Sequence, residues 1–235
     1  MMTPRTLVAL ATYNEVENLP ELTDAILREL PAADLLVVDD NSPDGSGRWC
    51  DERAASEPQL RCLHRAGKMG LGSATREAIR YAIARDYDVI VTMDADWSHD
   101  PAHLPELVAA TARADVVIGS RYVDGGAIAG WPWHRRLLSR KLNRLSHTML
   151  RLPVHDASGA FRAYRVSKLR ELELTDIRAG GYAYLEEILW HLARAGANFA
   201  EVPITFCERR AGRSKANLRE VAGKISTVLR LASRR

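Results

Sequence analysis

Five short apolar runs set the strongest constraint on how this chain can fold. Thr6–Ala11, Leu35–Val38, Leu60–Leu63, Asp88–Met93 and Asp115–Gly119 are each too short for a helix, and each ends abruptly in polar residues. Between them lie amphipathic stretches. Glu17–Leu30 places Leu19, Leu22, Ile26, Leu27 and Leu30 on one face, Ser73–Ala84 does the same with Ala74, Ala78, Ile79 and Ile83, and Asp100 before Pro101 supplies a cap and first position for a third helix. This βαβα order predicts an α/β fold with a mostly parallel central sheet and helices on both faces.

Ligands of such sheets bind beyond the carboxyl ends of the strands. The residues following the runs are therefore the ones that carry chemistry. They are Thr12-Tyr13-Asn14-Glu15, Asp39-Asp40-Asn41-Ser42-Pro43-Asp44-Gly45, His64 through Gly72, Asp94-Ala95-Asp96 and Ser120-Arg121-Tyr122. Past Gly125 the order weakens. A basic helix is expected over Arg135–Leu150, strands over Ala160–Tyr164 and Phe199–Phe206, a helix over Gly181–Ala195, and an amphipathic tail over Leu218–Leu231. No linker composition interrupts the chain, so the second half is expected to pack on the first as one unit.

The pair Asp94 and Asp96 ends a strand, and strand alternation would aim both carboxylates to one side. Two adjacent anions repel unless a cation lies between them, and oxygen ligands suit Mg²⁺ or Mn²⁺. The plainer reading is a pair of turn or capping aspartates. Asp39 and Asp40 end a second strand on the same edge and could accept hydrogen bonds from a base or ribose, although Ser42-Pro43-Asp44-Gly45 also has strong turn chemistry. Lys68, in the glycine loop Gly67–Gly72, is placed to approach a diphosphate, or the loop simply enters a helix.

Several function classes are disfavoured. The glycine spacing is G-x-x-G-x-G after the third strand, which is not a dinucleotide fingerprint, and no P-loop occurs. His99 and His103 are four apart but lack the glutamate and third ligand of a zinc hydrolase, and are expected on the surface or behind other ligands. Cys50, Cys62 and Cys207 suggest neither a disulfide framework nor a zinc site and read as core residues in a reducing cytoplasm. No signal peptide is apparent, and no apolar run approaches the ~20 residues that span a bilayer. With 46% hydrophobic and 27% charged residues the chain matches ordinary globular proteins, so disorder is not expected.

The net charge of +3 conceals a division. Residues 1–124 carry about −9 and residues 125–235 about +12. Six basic and no acidic residues lie between Arg135 and Arg151, just after Trp131 and Trp133. The two tryptophans are core residues or an interfacial anchor beside phosphate-binding arginines. No nucleic-acid module is present, and the acidic front half opposes a polyanion, so nucleic acid is not an expected partner.

Taken together these motifs resemble the family 2 glycosyltransferases, and among them the dolichol-phosphate (polyprenyl-phosphate) mannose synthases. The resemblance runs from Ala11–Glu15 through Val37–Gly45, Lys68–Gly72, Asp94–His99, Gly119–Tyr122, Trp131-Pro132 with Arg135 and Ser139, Ser158–Tyr164, Glu201–Phe206, Arg209 and Gly212–Lys215. It implies a GT-A fold over residues 1–235, with 1–124 as the nucleotide-sugar and metal half and 125–235 as the acceptor and membrane-facing half. It implies that Thr12, Tyr13, Glu15, Asp39, Asp40, Lys68 and Ala95 hold the nucleotide, and that Asp94, Asp96 and Ser98 surround the metal, with Asp94, Asp96 and Arg121 central to catalysis. Arg135, Ser139, Arg209 and Lys215 would meet the acceptor phosphate. Ser98 stands where many relatives carry glutamine, and Ala160 interrupts the usual S-G-F run. The implied reaction is inverting transfer of mannose from GDP-mannose to a polyprenyl phosphate with Mg²⁺ or Mn²⁺, by a peripheral protein on the cytoplasmic face of a membrane; the alternatives are UDP-glucose or another sugar nucleotide as donor and, more distantly, a non-catalytic protein on this fold that binds nucleotide sugars or a membrane partner. Some relatives work with small membrane-protein partners, and such a partner is compatible with the resemblance.

Overall fold

The computed structural model describes residues 3–208 and 218–234. The first half follows the expected alternation: β1 (Thr6–Thr12), α1 (Leu19–Glu29), β2 (Asp34–Asp39), α2 (Ser46–Ala54), β3 (Leu60–His64), α3 (Leu71–Ala84), β4 (Val89–Asp94), a 3₁₀ turn (Pro101–His103) leading into α4 (Leu104–Ala110), and β5 (Val116–Ser120). The second half adds β6 (Ala127–Ile128), α5 (Trp133–Leu150), β7 (Arg162–Arg165), α6 (Val166–Leu169), α7 (Tyr184–Arg194), β8 (Phe199–Pro203), β9 (Thr205–Phe206) and α8 (Leu218–Ala232).

Seven strands form one sheet in the order β3-β2-β1-β4-β7-β5-β8. All pairings are parallel except those of β7, which runs antiparallel between β4 and β5. The central strands are apolar on both faces because both faces are covered. Along β1, Leu7 and Ala9 join the core beneath α3, α7 and α8, whereas Val8 and Leu10 join the core beneath α1 and α4. β2 repeats the pattern with Leu36 and Val38 against Leu35 and Val37.

Three local expectations are corrected. Ser42–Gly45 does turn, but a helix that the apolar pattern did not reveal starts at Ser46, since α2 buries only Ser46, Gly47 and Cys50. Phe199–Phe206 is two strands, not one: β8 pairs with β5, the chain breaks at Ile204, and β9 pairs with β6 in a small second sheet. The basic helix begins at Trp133, one residue after Pro132, whose fixed φ suits a helix entry.

Candidate active site

The sheet order places β1 between β2 and β4, so the chain leaves β1 in one direction and returns on the other side. Crevices at such reversals are where open α/β sheets bind ligands. Ala11 pairs with Asp94 in the β1–β4 register, which sets Thr12 and Tyr13 beside Asp94. A cleft of about 450 Å³ opens there, walled by Thr12, Tyr13, Glu15, Asp40, Lys68, Asp94, Ala95, Asp96, Gly181 and Tyr182. Six of the seven predicted donor-side residues, all but Asp39, thus share one space with both predicted carboxylates of the metal site.

The two strand-end aspartates on β2 divide the work. Asp39 is buried, and its carboxylate accepts from the Ser42 backbone N–H at 3.1 Å and from the Ser42 hydroxyl at 2.5 Å. It serves the turn, which is the plainer of the two readings. Asp40 lines the cleft, but its Oδ2 accepts from the backbone N–H groups of Met69 (3.0 Å) and Gly70 (2.9 Å), and its Oδ1 accepts from Arg65 at 2.5 Å. Asp40 therefore fixes the glycine loop against the cleft. Gly70 has a φ of +85° and a Cβ there would lie 3.0 Å from the Gly180 carbonyl, so glycine suits both the backbone and the space. Lys68, on the same loop, stands 4.0 Å over the Tyr13 ring.

The loop after β1 is tied to the loop after β2. Asn14, Glu15 and Val16 donate backbone N–H groups to the hydroxyls of Ser42 and Ser46 and to the Asp44 carboxylate, each at 3.0 Å. Burial raises the Asp44 pKa, but the Val16 and Ser46 hydrogen bonds outweigh it and hold the carboxyl below its ordinary value.

Asp94 ends β4, whereas Asp96 lies beyond it, so strand alternation does not account for their convergence. The chain turns sharply instead: Trp97 has a φ of +65°, and Asp96 Oδ1 accepts from the Ser98 backbone N–H at 3.0 Å. Behind them His99 is buried, the second of its two expected places rather than the surface, and stacks on Phe161 with ring centroids 5.0 Å apart. Its Nδ1 accepts from the Asp94 backbone N–H at 3.1 Å. Burial pulls its pKa down to about 4, partly opposed by Asp96, so the imidazole is neutral and acts as an acceptor.

Asp94 also lines a second cavity of about 200 Å³, together with Ser98, Arg121, Trp131, Arg135, Ser139, Tyr182, Glu186 and Lys224. Asp94 and Tyr182 are common to both spaces. Arg121 is buried and held by Asp156 through two 2.7 Å contacts, with a further 2.9 Å bond to the Ser158 hydroxyl. Burial alone would lower the Arg121 pKa, but Asp156 reverses this and raises it; the same pairing keeps Asp156 below the usual carboxylate range despite complete burial. Ser139 accepts from the Tyr122 hydroxyl at 2.7 Å, and Arg135 packs 3.9 Å over the Trp131 ring. Trp131 is partly covered and belongs to the cavity, while Trp133 is 74% exposed. Arg209 and Lys215, also expected at the acceptor phosphate, lie outside the described residues.

Three site groups escaped the sequence reading. Asp156 is the one acidic residue between Gly125 and Arg170, a signal for the partner of a buried cation. Glu186 and Glu187 interrupt the otherwise apolar face of α7, and both are essentially fully buried. Lys224, on α8, reaches Glu186 at 2.5 Å, and Arg230 reaches Glu187 at 2.8 Å. Burial pushes the Glu186 carboxyl up, against the pull of Lys224.

Asp94, Asp96 and Ser98 offer hard oxygen donors beside a cleft open to a phosphorylated ligand, a donor set that fits Mg²⁺ or Mn²⁺ better than a thiophilic ion. Ser98 faces the second cavity rather than the first.

A mostly parallel sheet with a carboxylate-bearing cleft at its reversal point is the GT-A arrangement of glycosyltransferases. Solved structures agree: the fold matches the mannosyltransferase from Pyrobaculum calidifontis in complex with GDP-Man and Mn²⁺, with TM-score 0.67, 20% identity, and coverage of 100% of this chain and 66% of that one, just under two thirds. It also matches glucosyl-3-phosphoglycerate synthase from Mycobacterium tuberculosis with Mn²⁺, UDP and glucosyl-3-phosphoglycerate, with TM-score 0.69, 21% identity, and coverage of 98% and 80%. Residues 7–173 match the glycosyl transferase family 2 model. The undecaprenyl-phosphate mannosyltransferase of Micrococcus luteus is 44% identical over 90% of this chain and 87% of its own. The polyprenol monophosphomannose synthase of Mycolicibacterium smegmatis is 42% identical over 95% and 86%. The chain belongs to glycosyl transferase family 2 and is a glycosyltransferase.

Proposed function

We propose that this enzyme transfers mannose from GDP-mannose to the phosphate of a polyprenyl monophosphate, with inversion at the anomeric carbon. One observation carries the reading: a donor-sized cleft and a cation-lined cavity meet at Asp94 and Tyr182. The names of the two curated relatives supply the sugar and the lipid, and the Pyrobaculum complex supplies the donor.

GDP-mannose occupies the 450 Å³ cleft, with Thr12, Tyr13, Glu15 and Ala95 around the nucleotide and Lys68 toward the diphosphate. Asp39 and Asp40 act by holding the turn and the glycine loop. The lipid phosphate enters the second cavity among Arg121, Arg135, Ser139 and Lys224, joined in our reading by Arg209 and Lys215. An acceptor phosphate oxygen bonds to the anomeric carbon while that carbon's bond to the departing GDP breaks, and GDP keeps the electron pair. A phosphate monoester has a second pKa of about 6, so it arrives already largely dianionic and no protein base is required. The chain's task is to align two anions that otherwise repel. Asp94 and Asp96 would hold Mg²⁺ or Mn²⁺, which when bound offsets charge on the leaving diphosphate.

The acceptor is a membrane lipid, and among the described residues no helix is long and apolar enough to cross a bilayer. α5 exposes Trp133, Leu137 and Leu138, and α8, which packs against α5, exposes Ile225 and Leu229. Arg136, Arg140 and Lys141 lie on the same α5 surface. We place this face on the cytoplasmic side of an anionic membrane.

The test is incubation with radiolabelled GDP-mannose, polyprenyl phosphate and a divalent cation. Label should enter the organic phase only when all three are present. Transfer from UDP-glucose alone would overturn the donor, and no transfer from any sugar nucleotide would favour a binding protein on this fold.

A further inference from the structure

The far edge of the sheet carries a second cluster of metal-binding side chains. β3 is the outermost strand, and Cys62 and His64, two residues apart on it, project to the same face. α2 packs on that face and brings Asp51 to them. His64 Nε2 lies 2.9 Å from Asp51 Oδ1, and the other ring nitrogen lies 3.9 Å from Cys62 Sγ. One ligand atom from each of the three residues falls within 4.8 Å of the others.

An ordinary surface His–Asp pair contributes roughly 0–1 kcal/mol and needs no thiol beside it. Here a sulfur joins an imidazole and a carboxylate, which is the borderline-soft donor set that zinc prefers and magnesium does not. In a zinc site such donors close to about 2.0–2.3 Å from the ion, which leaves them about 3.3–3.7 Å apart in a tetrahedron. Side-chain rotation alone covers the remaining distance, because Asp51 and His64 are exposed and Cys62 is partly so.

We propose that Asp51, Cys62 and His64 form a binding site for a zinc-class transition-metal ion, with the fourth position open to water, separate from the oxygen-only site of Asp94 and Asp96. It lies next to donor-binding machinery: His64 pairs with Asp39 in the β2–β3 register, and a Cβ on Gly47 would come within 3.2 Å of the His64 ring and 2.9 Å of Asp39 Oδ2. The site thus braces the strand edge behind the Asp39 turn.

The experiment is titration of the full chain with Co²⁺, followed by the intense thiolate-to-cobalt charge-transfer absorption that an all-oxygen site lacks. The band should appear in the wild-type chain, be displaced by Zn²⁺, disappear in Cys62→Ser and weaken in His64→Gln. It should persist in Asp96→Ala, which separates this site from the catalytic one. Zn²⁺ should also raise the melting temperature of the wild type but not of Cys62→Ser. Absence of the band in the wild type, its survival in Cys62→Ser, or its loss in Cys207→Ser instead would overturn the assignment.

Discussion

Lys224 of the C-terminal helix contacts Glu186 of α7 at 2.5 Å, inside the cavity that also holds Arg121, Arg135 and Ser139. The carboxylate has almost no exposed surface, so the lysine is its principal compensation. Lys224 of α8 is thereby part of the wall against which, in our proposal, the acceptor phosphate rests.

Replacing Lys224 with alanine should cost about 3–5 kcal/mol of stability, because a buried charge loses its partner. It should also raise the apparent KM for polyprenyl phosphate tenfold or more while leaving that for GDP-mannose nearly unchanged. Thermal melts and a two-substrate kinetic matrix check both. A selective rise in the GDP-mannose KM would place Lys224 on the wrong side of the site.

Asp96→Asn should lower turnover by roughly two to three orders of magnitude, the scale expected when a cation that stabilises developing charge is lost. Calorimetric titration with Mn²⁺ in the presence of GDP should show metal binding in the wild type and none in the variant. Unchanged Mn²⁺ binding would remove the metal role of this carboxylate.

Asp156→Asn leaves Arg121 buried without its counter-charge. The folded Asp156 has a depressed pKa, so its stabilising effect is complete above the ordinary carboxylate range and fades as pH falls through the lower folded value. Wild-type melting temperature should therefore drop steeply below about pH 4, and the Asp156→Asn chain should start lower at neutral pH and show a shallower acid limb. Parallel melts across that range decide it.

Gly72→Ala tests the packing of the cleft roof. A Cβ there would lie 2.6 Å from the Tyr184 Cβ and 2.7 Å from the Ala179 carbonyl, so the α7 side must shift. Destabilisation of about 1–3 kcal/mol is expected, with a rise in the GDP-mannose KM. A neutral melt would show that this contact is soft.

Trp133→Ser combined with Leu137→Ser should weaken sedimentation with anionic vesicles by tenfold or more, since each apolar side chain contributes about 1.5–3 kcal/mol when fully buried. Soluble stability should hardly change, as both side chains are exposed. Undiminished binding would move the membrane contact elsewhere.

Most of the cleft lining was legible because local signals agreed. The apolar runs gave β1, β2, β3, β4 and β5, and the polar residues at their ends gave Thr12, Tyr13, Asp40, Asp94 and Asp96 in one cleft. What stayed hidden was whatever depended on distant pairing. Asp39 and Asp40 are adjacent in sequence, yet one secures a turn and the other a glycine loop, and only Met69, Gly70 and Arg65 reveal the difference. β7 could be recognised as a strand over Ala160–Tyr164, but not as an antiparallel insertion, since its direction depends on the path through α5. For His99 the sequence left the surface and a place behind other ligands both open, and only Phe161 and Phe206, which enclose it, decide between them.

The segment that carries Tyr182 across the donor cleft is secured from behind. Ala179 donates its backbone N–H to Glu187 at 2.7 Å, and Glu187 in turn holds Arg230 of α8. Arg76 reaches the carbonyls of Ile177 and Ala179 from the glycine-loop helix. Helix α8 is thus a guy-rope for the cleft in which we propose the nucleotide binds, as well as a wall of the cavity proposed for the lipid phosphate. A chain trimmed before it would loosen its hold on the sugar donor in free solution, with no bilayer in sight.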